Sequence, residues 1–561
     1  MRRAVPVHPQ KEVVLTPAEL VVRGARVYPA DTRYENAAAV ACAGGRITFV
    51  GTDAGAASYI GPETRVIEAR GRALLPGMVD AHQHLLYCAR VEYFNFHLSP
   101  ALDEAACAAA MGTYAAQRPG QPAFFCVGFA PERFAAPPRR ETLDAVCPSA
   151  PVVALSYDGH ATWVNSRALL LAGIDENTPD PARGEIVRDA SGRPTGFLLG
   201  AAGACAGGLL SRFAPGYTRV QNRAAILRAQ AEMLARGVTT VYDAHVEPEP
   251  DYFMAYEELA RENRLKLRTR GAWFVGRETG GEADIRALVD RCAGYAASFQ
   301  TERFRVTGFK FLLDMTVEAG TAYLAEPYRW GGRGVRVWED GDMLARLFRK
   351  IDRMGCQIHL HQMGDGAAGY ALDALEDAGD LRARHTFAHC QLISDADKAR
   401  MARLGVSALV APYWINSSVY GSIAVPALGK ARAARQYPVK SLLEAGVNVG
   451  AHSDYTVSEP SFPGALRGLT RRALDSGTRA RLFPDGMPGL NRPLPKNAER
   501  VSLREAVEIM TLGGARSMGE GAETGSLAPG KAADLALLSG KLEDGCRVDM
   551  TVCAGEVAFE R

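Results

Sequence analysis

The stretch Leu74–His84 (Leu-Leu-Pro-Gly-Met-Val-Asp-Ala-His-Gln-His) constrains the fold more than any other part of the chain. Its apolar run predicts a buried β-strand, and because side chains alternate along a strand, His82 and His84 lie on the same face. Two imidazoles placed in this way can bind one metal ion, and neutral histidine is a common ligand of zinc. The stretch therefore predicts a strand that ends at a metal site. The alternative is two unrelated polar residues in a loop.

Length and composition indicate a large globular protein. A chain of 561 residues exceeds one ordinary core, which predicts about two to four domains or one large barrel with appended parts. Hydrophobic residues make up 47% of the chain and charged residues 23%, so it can bury a core. The net charge of +2, without any basic run, argues against a nucleic-acid-binding protein and favours a small-molecule partner.

Cysteine usage and the N-terminal sequence predict the compartment. The eleven cysteines are scattered and form no Cys-x-x-Cys pair, which is typical of reduced thiols in a cytoplasmic protein. Met1-Arg2-Arg3 is basic, but no apolar segment follows before Lys11 and Glu12, so we predict no signal peptide. No apolar run approaches the length of a membrane helix. We therefore predict a cytoplasmic protein that does not bind membranes.

Short strand patterns occur at both ends of the chain. They comprise Leu20–Val22, Ala37–Ala43 and Arg46–Val50 near the N-terminus, and Ala533–Leu538, Val548–Val552 and Glu556–Phe559 near the C-terminus. Each group is too small to be stable alone, so we predict that the two pair into one small β-sandwich domain built from residues 1–75 and 515–561. The alternative is two independent flaps.

Between these ends, strand-like runs alternate with helical patterns such as Arg223–Arg236 and Met343–Met354, which is typical of a parallel α/β architecture. We predict a TIM-like (β/α)8 barrel over residues 76–514. The candidate strands outnumber those of a barrel, so some belong to an insertion after the first barrel strand, at about residues 95–230. The candidates are Pro76–Asp80, Ala123–Val127, Val152–Ser156, Val238–Asp243, Arg270–Phe274, Phe304–Leu313, Cys356–His361, Arg384–His389, Ser407–Ala411 and Val447–Ser453.

Gly200-Ala201-Ala202-Gly203 lacks the following Lys-Ser/Thr of a phosphate loop, so we predict no nucleotide cofactor.

Residues that can bind metal lie at the ends of several candidate strands. His361, His389 and Asp454 each end one of them. The C-terminal ends of all strands meet at one face of a parallel barrel, so these residues converge there with His82 and His84. A single histidine at a strand end is more often structural. The ordered series favours a metal centre.

A series of motifs accompanies these residues over nearly the whole chain. The motifs are Pro76–His84, Asp158–Ser166, Gly192–Gly196, Gly237–Asp243, Lys310–Asp314, Thr321-Ala322 with Glu326–Tyr328, His361 with Gly364-Asp365, Arg384-His385 with His389 and Gln391, Ser453-Asp454, and Gly525–Leu535. Together they resemble the metal-dependent amidohydrolase superfamily, and within it the branch that includes N-substituted formamide deformylase.

The resemblance implies a centre of one or two divalent ions, with zinc as the expected metal. The implied ligands are His82, His84, Lys310, His361, His389 and Asp454. His82, His84 and Asp454 would bind the more buried ion, and His361 and His389 the second. Lys310 would bridge the ions as a carbamate (N6-carboxylysine), because carboxylation converts the amine into an anionic oxygen ligand. The alternative for Lys310 is a solvated or salt-bridged lysine, but its neighbours are apolar and burial of an unpaired ammonium is costly.

The resemblance also implies the reaction, which is hydrolysis of a C–N amide bond of the N-formyl or N-acyl type in a small organic substrate. A bound metal would lower the pKa of water and polarise the substrate carbonyl. Asp454 is predicted to contact the metal and to pass the proton to the leaving nitrogen. His160 is predicted to donate a hydrogen bond to the substrate carbonyl, with an ordinary surface histidine as the alternative. Glu318 is a weaker candidate for a substrate contact.

Several features depart from the pattern of the superfamily. His359 shares a face with His361, so the ligand could be either, and we prefer His361 because Gly364-Asp365 follows it. His452 stands where a small residue is expected and can reach into the pocket. Met315 replaces a glycine, and Gly200 a carboxylate, which leaves the substrate contacts open.

Alternative functions and the surroundings of the site complete the interpretation. A deaminase or a cyclic amide or imide hydrolase would use the same ligands. A non-catalytic scaffold is disfavoured because all six ligands are present. The superfamily suggests a homodimer. Seven aromatic residues are predicted in loops at the mouth, where they either bind an apolar group of the substrate or pack the loops onto the barrel: Phe129, Trp163, Tyr323, Trp330, Tyr413, Trp414 and Tyr455.

Overall fold

The structure is a computed structural model and describes residues 16–156, 161–181, 184–200, 202–203, 217–276, 281–298, 300–416, 423–482, 494–495 and 497–561. The chain divides into two compact units. The first consists of the described parts of Met1–Tyr87 and Ile226–Arg561, and the second of those of Cys88–Ala225.

Eight parallel strands form the central sheet of the first unit, and each pairs with the next in sequence. They are β1 (Met78–Gln83), β2 (Val238–Val246), β3 (Arg268–Val275), β4 (Phe304–Leu312), β5 (Gln357–Gln362), β6 (Thr386–His389), β7 (Ser407–Val410) and β8 (Val449–Ala451). Because parallel strands are covered on both faces, they are apolar, and every residue of β1, β6, β7 and β8 is buried. This sheet confirms the prediction of a TIM-like barrel.

Backbone hydrogen bonds bring the end of β8 to the end of β1. The Asp454 N–H donates to the His82 carbonyl at 3.1 Å, and the His84 N–H donates to the Tyr455 carbonyl at 3.3 Å. Residues from the first and last barrel strands therefore meet at one point of the rim.

Helices connect the strands of the first unit. The most regular is Gly341–Arg353, which buries Leu344, Leu347, Phe348 and Ile351 on one face and whose N-cap Asp340 accepts a hydrogen bond from the Met343 N–H at 2.8 Å. The others include Asp53–Ala56, Arg219–Ala235 (which begins in the second unit), Pro250–Arg261, Glu282–Ser298, Asp365–Ala378, Asp395–Leu404, Val425–Leu428, Lys430–Ala433, Val439–Glu444, Phe462–Arg471, Ser476–Leu482, Leu503–Glu508 and Gly514–Ser517. Within the described residues, none of the helices combines the length and apolarity that crossing a membrane requires.

Strands from the two chain ends form two further sheets in the first unit. One contains Leu20–Arg23, Ala39–Ala43, Arg46–Gly51 and Arg65–Glu68, and the other contains Arg26–Val27, Ala73–Pro76, Leu535–Lys541, Asp544–Cys553 and Glu556–Glu560. A single buried cluster takes side chains from both sheets, among them Val22, Val40, Leu535 and Val552. The N-terminal and C-terminal strands thus share one core.

The strand Ala73–Pro76 links the terminal sheets to the barrel. It pairs antiparallel with Leu535–Lys541, and the chain then passes through Gly77 directly into β1. A Cβ atom at Gly77 would lie 2.2 Å from Thr239 Oγ1, so only glycine fits between the two elements. The position of β1 is therefore fixed by the C-terminal part of the chain.

The second unit contains a six-stranded sheet. Its strands are Phe96–His97, Phe124–Phe129, Val152–Ser156, Ala161–Val164, Gly184–Arg188 and Pro194–Gly200, and its helices include Glu104–Ala116, Arg140–Val146 and Ser166–Ala172, while the helix Leu85–Phe94 begins in the first unit. Phe129 and Trp163 are fully buried strand residues in the core of this unit. The prediction that these two residues lie in loops was wrong, because both lie in strands and their side chains pack into this core.

Candidate metal centre

The ends of β1 and β8 bring two histidines and a carboxylate together. His82 Nε2 lies 3.2 Å and His84 Nε2 lies 3.3 Å from Asp454 Oδ1. One ligand atom of each residue lies within 4.8 Å of the others, which is the spacing of a metal-ligand set. His82 and His84 share a face of the chain at the end of β1, and the close approach of β8 supplies Asp454.

His361 and His389 lie on the same rim. Their ring centroids are 4.4 Å apart, and the centroid of His389 is 5.0 Å from that of His82. His361 Nε2 is 3.2 Å from the Met315 carbonyl oxygen, whereas neither ring nitrogen of His389 has a hydrogen-bond partner among the described residues. The structure therefore brings both predicted histidines to the cluster.

Lys310 lies on β4 and is 1% exposed. Its Nζ has no hydrogen-bond partner within the described part of the chain. Burial lowers the pKa of this amine to about 7, and the nearby Asp454 carboxylate opposes the shift. Because an unpaired buried ammonium is costly, the environment favours the neutral amine.

The protonation states of the cluster suit metal binding. Burial is the main reason that the pKa values of His82 and His389 lie well below 6.5 and that the pKa of His361 is about 3. Burial alone would raise the pKa of Asp454, but its hydrogen bond with His84 and the neighbouring histidines lower it below the usual range. At neutral pH, His82, His361 and His389 are therefore neutral and Asp454 is a carboxylate, which are the forms that bind metal.

Two members of the cluster have an unusual backbone conformation. The φ angle is +81° at His389 and +53° at Asp454, in the left-handed region that residues other than glycine rarely adopt. Such conformations concentrate at functional sites, where the surrounding structure holds them.

His359 has a role that its sequence position alone does not reveal. His359 Nε2 lies 2.6 Å from His82 Nδ1, and His359 Nδ1 lies 2.8 Å from Thr386 Oγ1. When the His82 Nδ1–H donates to His359, the lone pair of His82 Nε2 faces Asp454 and is free for a metal. Both nitrogens of His359 are engaged, so it is a positioning residue rather than a ligand. The histidine spacing was visible in the sequence, but the contact between β1 and β5 was not.

Two buried carboxylates support the rim. Asp80 accepts a hydrogen bond from the Ser453 N–H at 2.8 Å, which holds the residue before Asp454 against β1. Asp314 accepts hydrogen bonds from the Met363 and Gly364 N–H groups at 3.0 and 2.8 Å, which fixes the turn after His361.

Aromatic rings surround the cluster. Trp414 stacks on His389 with 5.4 Å between centroids, as expected for a residue at the mouth. His245, which we did not predict, lies at the end of β2 and stacks between Tyr87 and Phe274, both at 4.5 Å, with its ring 5.7 Å from His84. The signal for it was a histidine just beyond the predicted end of β2.

The remaining predicted residues have varied surroundings. Tyr413 lies in the short helical turn Pro412–Trp414 after β7, with its hydroxyl 3.1 Å from the Ser461 N–H, and the Tyr455 hydroxyl donates to Glu232 at 2.9 Å. Trp330 is 61% exposed and stacks on Tyr328, and the Tyr323 N–H donates to Asp314. Glu318 accepts a hydrogen bond from Gln391 Nε2 at 3.0 Å. His160 lies outside the described residues.

Comparison with known proteins decides the family. The sequence profile of the Amidohydrolase family matches residues 65–559. The chain belongs to this family. The resemblance to metal-dependent amidohydrolases and the prediction of an enzyme of this type are confirmed.

Relatives and solved structures resemble the chain over most of its length. It is 28% identical to N-substituted formamide deformylase of Arthrobacter pascens over 543 residues, which covers 93% of each chain. It is 27% identical to the protein YtcJ of Bacillus subtilis (strain 168) over 521 residues, or 90% of this chain and 92% of the other. The crystal structure of an uncharacterized metal-dependent hydrolase from Pyrococcus horikoshii has a TM-score of 0.73 at 20% identity and covers 96% of this chain and all of that one (100%). This last likeness concerns the fold alone.

Proposed function

We propose that this protein hydrolyses the C–N bond of an N-formyl or N-acyl amide in a small organic substrate. The observation that carries the proposal is the convergence of His82, His84, His389 and Asp454 at one buried point. Neutral imidazoles and a carboxylate are the donors that zinc prefers. Both ring nitrogens of His389 lack a hydrogen-bond partner among the described residues, and Asp454 Oδ1 lies near both His82 Nε2 and His84 Nε2, so a divalent ion fits as their common partner.

Each residue of the cluster has a role in this proposal. His82, His84 and Asp454 would hold one ion, and His361 and His389 a second. A divalent ion bound there would lower the pKa of water toward neutrality and polarise the substrate carbonyl. Asp454, which is ionised at neutral pH, takes the proton of the attacking water and delivers it to the leaving nitrogen. His359 keeps His82 in the tautomer that this arrangement needs.

Lys310 is proposed to become a carbamate. The neutral amine attacks the carbon of CO2, a new N–C bond forms, and one proton leaves, which gives an anionic carboxylate on Nζ. Burial lowers the pKa of this amine to about 7, which favours the neutral form that attacks CO2. The product would supply oxygen ligands to both ions.

The substrate class is inferred from the relative and from the rim. One relative that matches 93% of this chain is named N-substituted formamide deformylase. The Trp414 indole and the rings of Tyr87 and Phe274 border the cluster, and apolar walls with few polar groups are typical of pockets for organic ligands. We therefore propose an amide that carries a hydrophobic or aromatic substituent. His160 is proposed as a donor to its carbonyl.

Other features of the protein are also proposals. We propose that the two terminal sheets form a β-sandwich domain of residues 1–75 and 515–561 next to a hydrolase domain of residues 76–514. A cytoplasmic location and a homodimer are proposed as well, and gel filtration with light scattering would test the dimer.

The proposed function is tested by removing and restoring the metal. The protein is treated with a chelator, and hydrolysis is measured before and after addition of zinc, with N-substituted formamides, N-acyl amino acids, cyclic imides and aminopurines as substrates. We expect activity on the formamides or N-acyl compounds that disappears with the metal and returns with zinc. The variant His385→Gln, which changes a buried histidine outside the cluster, should respond in the same way. Metal-dependent activity confined to imides or aminopurines would replace this proposal with a cyclic amidase or a deaminase, and a protein that binds no metal would overturn it.

A further inference from the structure

His452 lies inside the metal centre although it does not belong to the predicted ligand set. It follows β8, and its N–H donates to the Val410 carbonyl at 2.9 Å, so the strand pairing continues through it. It stands two residues before Asp454 and is 1% exposed. Its side chain therefore enters the barrel from the same strand as the carboxylate.

The ring spacings around His452 are those of imidazoles that share an ion. With Zn–N bonds of about 2.1 Å and near-tetrahedral angles, the centroids of two such rings lie roughly 5 Å apart. The centroid of His452 is 4.9 Å from that of His389 and 5.2 Å from that of His82, with interplanar angles of 74° in both pairs. The pair His82–His84 has the same spacing, 5.2 Å.

The pair His82–His359 shows that ring spacing alone does not identify two ligands of one metal ion. The centroids of His82 and His359 are also 4.9 Å apart, but these rings are almost parallel and a hydrogen bond joins them. His452 has neither feature. Its Nδ1 and Nε2 are both buried, and neither has a hydrogen-bond partner among the described residues. Two unpaired buried nitrogens in one ring are costly unless a ligand engages them.

We propose that His452 is an additional metal ligand, which binds a divalent ion beside His82 and His389, because the three ring centroids lie 4.9–5.2 Å from one another. The inference rests on the metal centre of the proposed function. A third imidazole adds a donor to this group that does not depend on a carbamate at Lys310.

Metal titration of the stripped protein tests this inference. Wild-type protein and the His452→Ala variant are freed of metal, titrated with zinc in CO2-free buffer and analysed for bound zinc by mass spectrometry. We expect zinc binding in the wild-type protein, and in the variant a zinc affinity that is weaker by more than about 100-fold, which exceeds the usual effect of residues that only contact a ligand. The control His385→Gln, which also removes a buried imidazole, should keep the wild-type affinity.

A measurement on the wild-type protein tests the inference even if the variant does not fold. Crystals of wild-type protein soaked with zinc should show an anomalous peak at about 2.1 Å from a nitrogen of His452. Wild-type-like zinc affinity in His452→Ala, or a zinc-loaded structure in which His452 contacts no ion, would overturn the inference and leave the proposed function intact. A wild-type protein that binds no zinc would instead contradict the proposed function itself.

Discussion

The two ends of the barrel bury similar side chains in different surroundings. At the end where the strands begin, Arg270 lies 2.6 Å from Glu520, and Arg268 lies 3.8 Å from Glu520 and 3.9 Å from Asp534. At the end where the strands finish, Lys310 is equally buried but has no hydrogen-bond partner among the described residues. A buried charge beside an opposite charge is compensated within the fold, whereas the buried Lys310 amine without such a partner fits the ligand role proposed for it.

His385, just before β6, and His389, at its end, show the same difference in surroundings. His385 precedes β6, accepts a hydrogen bond from the Ile358 N–H at 3.1 Å and faces Asp352 at 3.3 Å. His389 ends β6, and both of its nitrogens lack such contacts within the described chain. Residue type and burial are shared, so the partners distinguish the structural histidine from the candidate ligand.

The largest expected effect comes from one carboxylate at the metal end. Asp454→Asn should lower kcat by about 1000-fold or more, because it removes the proposed metal ligand and the proposed proton carrier at once. The matched variant at the other end, Asp352→Asn, should keep kcat near the wild-type value and lower the melting temperature. Steady-state kinetics and thermal denaturation of both variants check this. If both folded variants lost kcat to a similar degree, the prediction that only one end of the barrel carries out catalysis would be wrong.

The opposite end should respond in stability. Glu520→Ala leaves Arg268 and Arg270 buried without their shared partner, and we expect a loss of about 3–5 kcal/mol in the free energy of unfolding, with unchanged zinc content. The control Glu523→Ala removes the exposed pair with Arg46 and should cost less than about 1 kcal/mol. Urea denaturation gives both values, and equal effects would refute the role of burial.

Stabilisation of the fold by zinc provides a further test of the difference between the two ends of the barrel. At a free zinc concentration 100 times the dissociation constant, the metal should stabilise the wild-type fold by about 2.7 kcal/mol, because it binds the folded state. Glu520→Ala should gain the same increment, since its metal centre is intact, and Asp454→Asn should gain much less. Thermal shift measurements with and without chelator test this, and the same zinc response in Asp454→Asn would contradict it.

The smallest effect concerns the pH dependence of stability. Burial lowers the pKa of His385 to about 4, although Asp352 opposes the shift, whereas the unfolded chain has the ordinary value of 6.5. Between these values the unfolded state takes up a proton that the folded state does not, so stability falls as the pH falls from about 6.5 to about 4. In His385→Gln, the decrease in melting temperature from pH 7.5 to pH 5 should be smaller than in the wild-type protein. An identical decrease would show that His385 does not contribute.

Much of the barrel and its rim could be predicted because the relevant patterns are local. His361 is the last but one residue of β5 and His389 is the last residue of β6, and parallel strands in a barrel bring such ends to one face. The run before His82 is likewise a strand that is buried on both sides.

The rest depends on contacts between distant strands, which a sequence pattern does not contain. The bond between His82 and His359 joins strands that are not neighbours in the sheet, so only the closed barrel brings them together. Phe129 and Trp163 were assigned to the mouth because aromatic residues suit a pocket, yet they pack in a separate core. His245 was missed because β2 continues to Val246, beyond the predicted end of the strand.

The pairing of Ala73–Pro76 with Leu535–Lys541 has a consequence for biosynthesis. The strand that leads into His82 precedes the barrel in the sequence, and its partner follows the barrel. This pairing cannot form until the chain has been translated through Leu535, so β1 acquires it only after all eight barrel strands have been synthesised. A translation product that stops before Leu535 would lack this support for the first two histidines of the cluster.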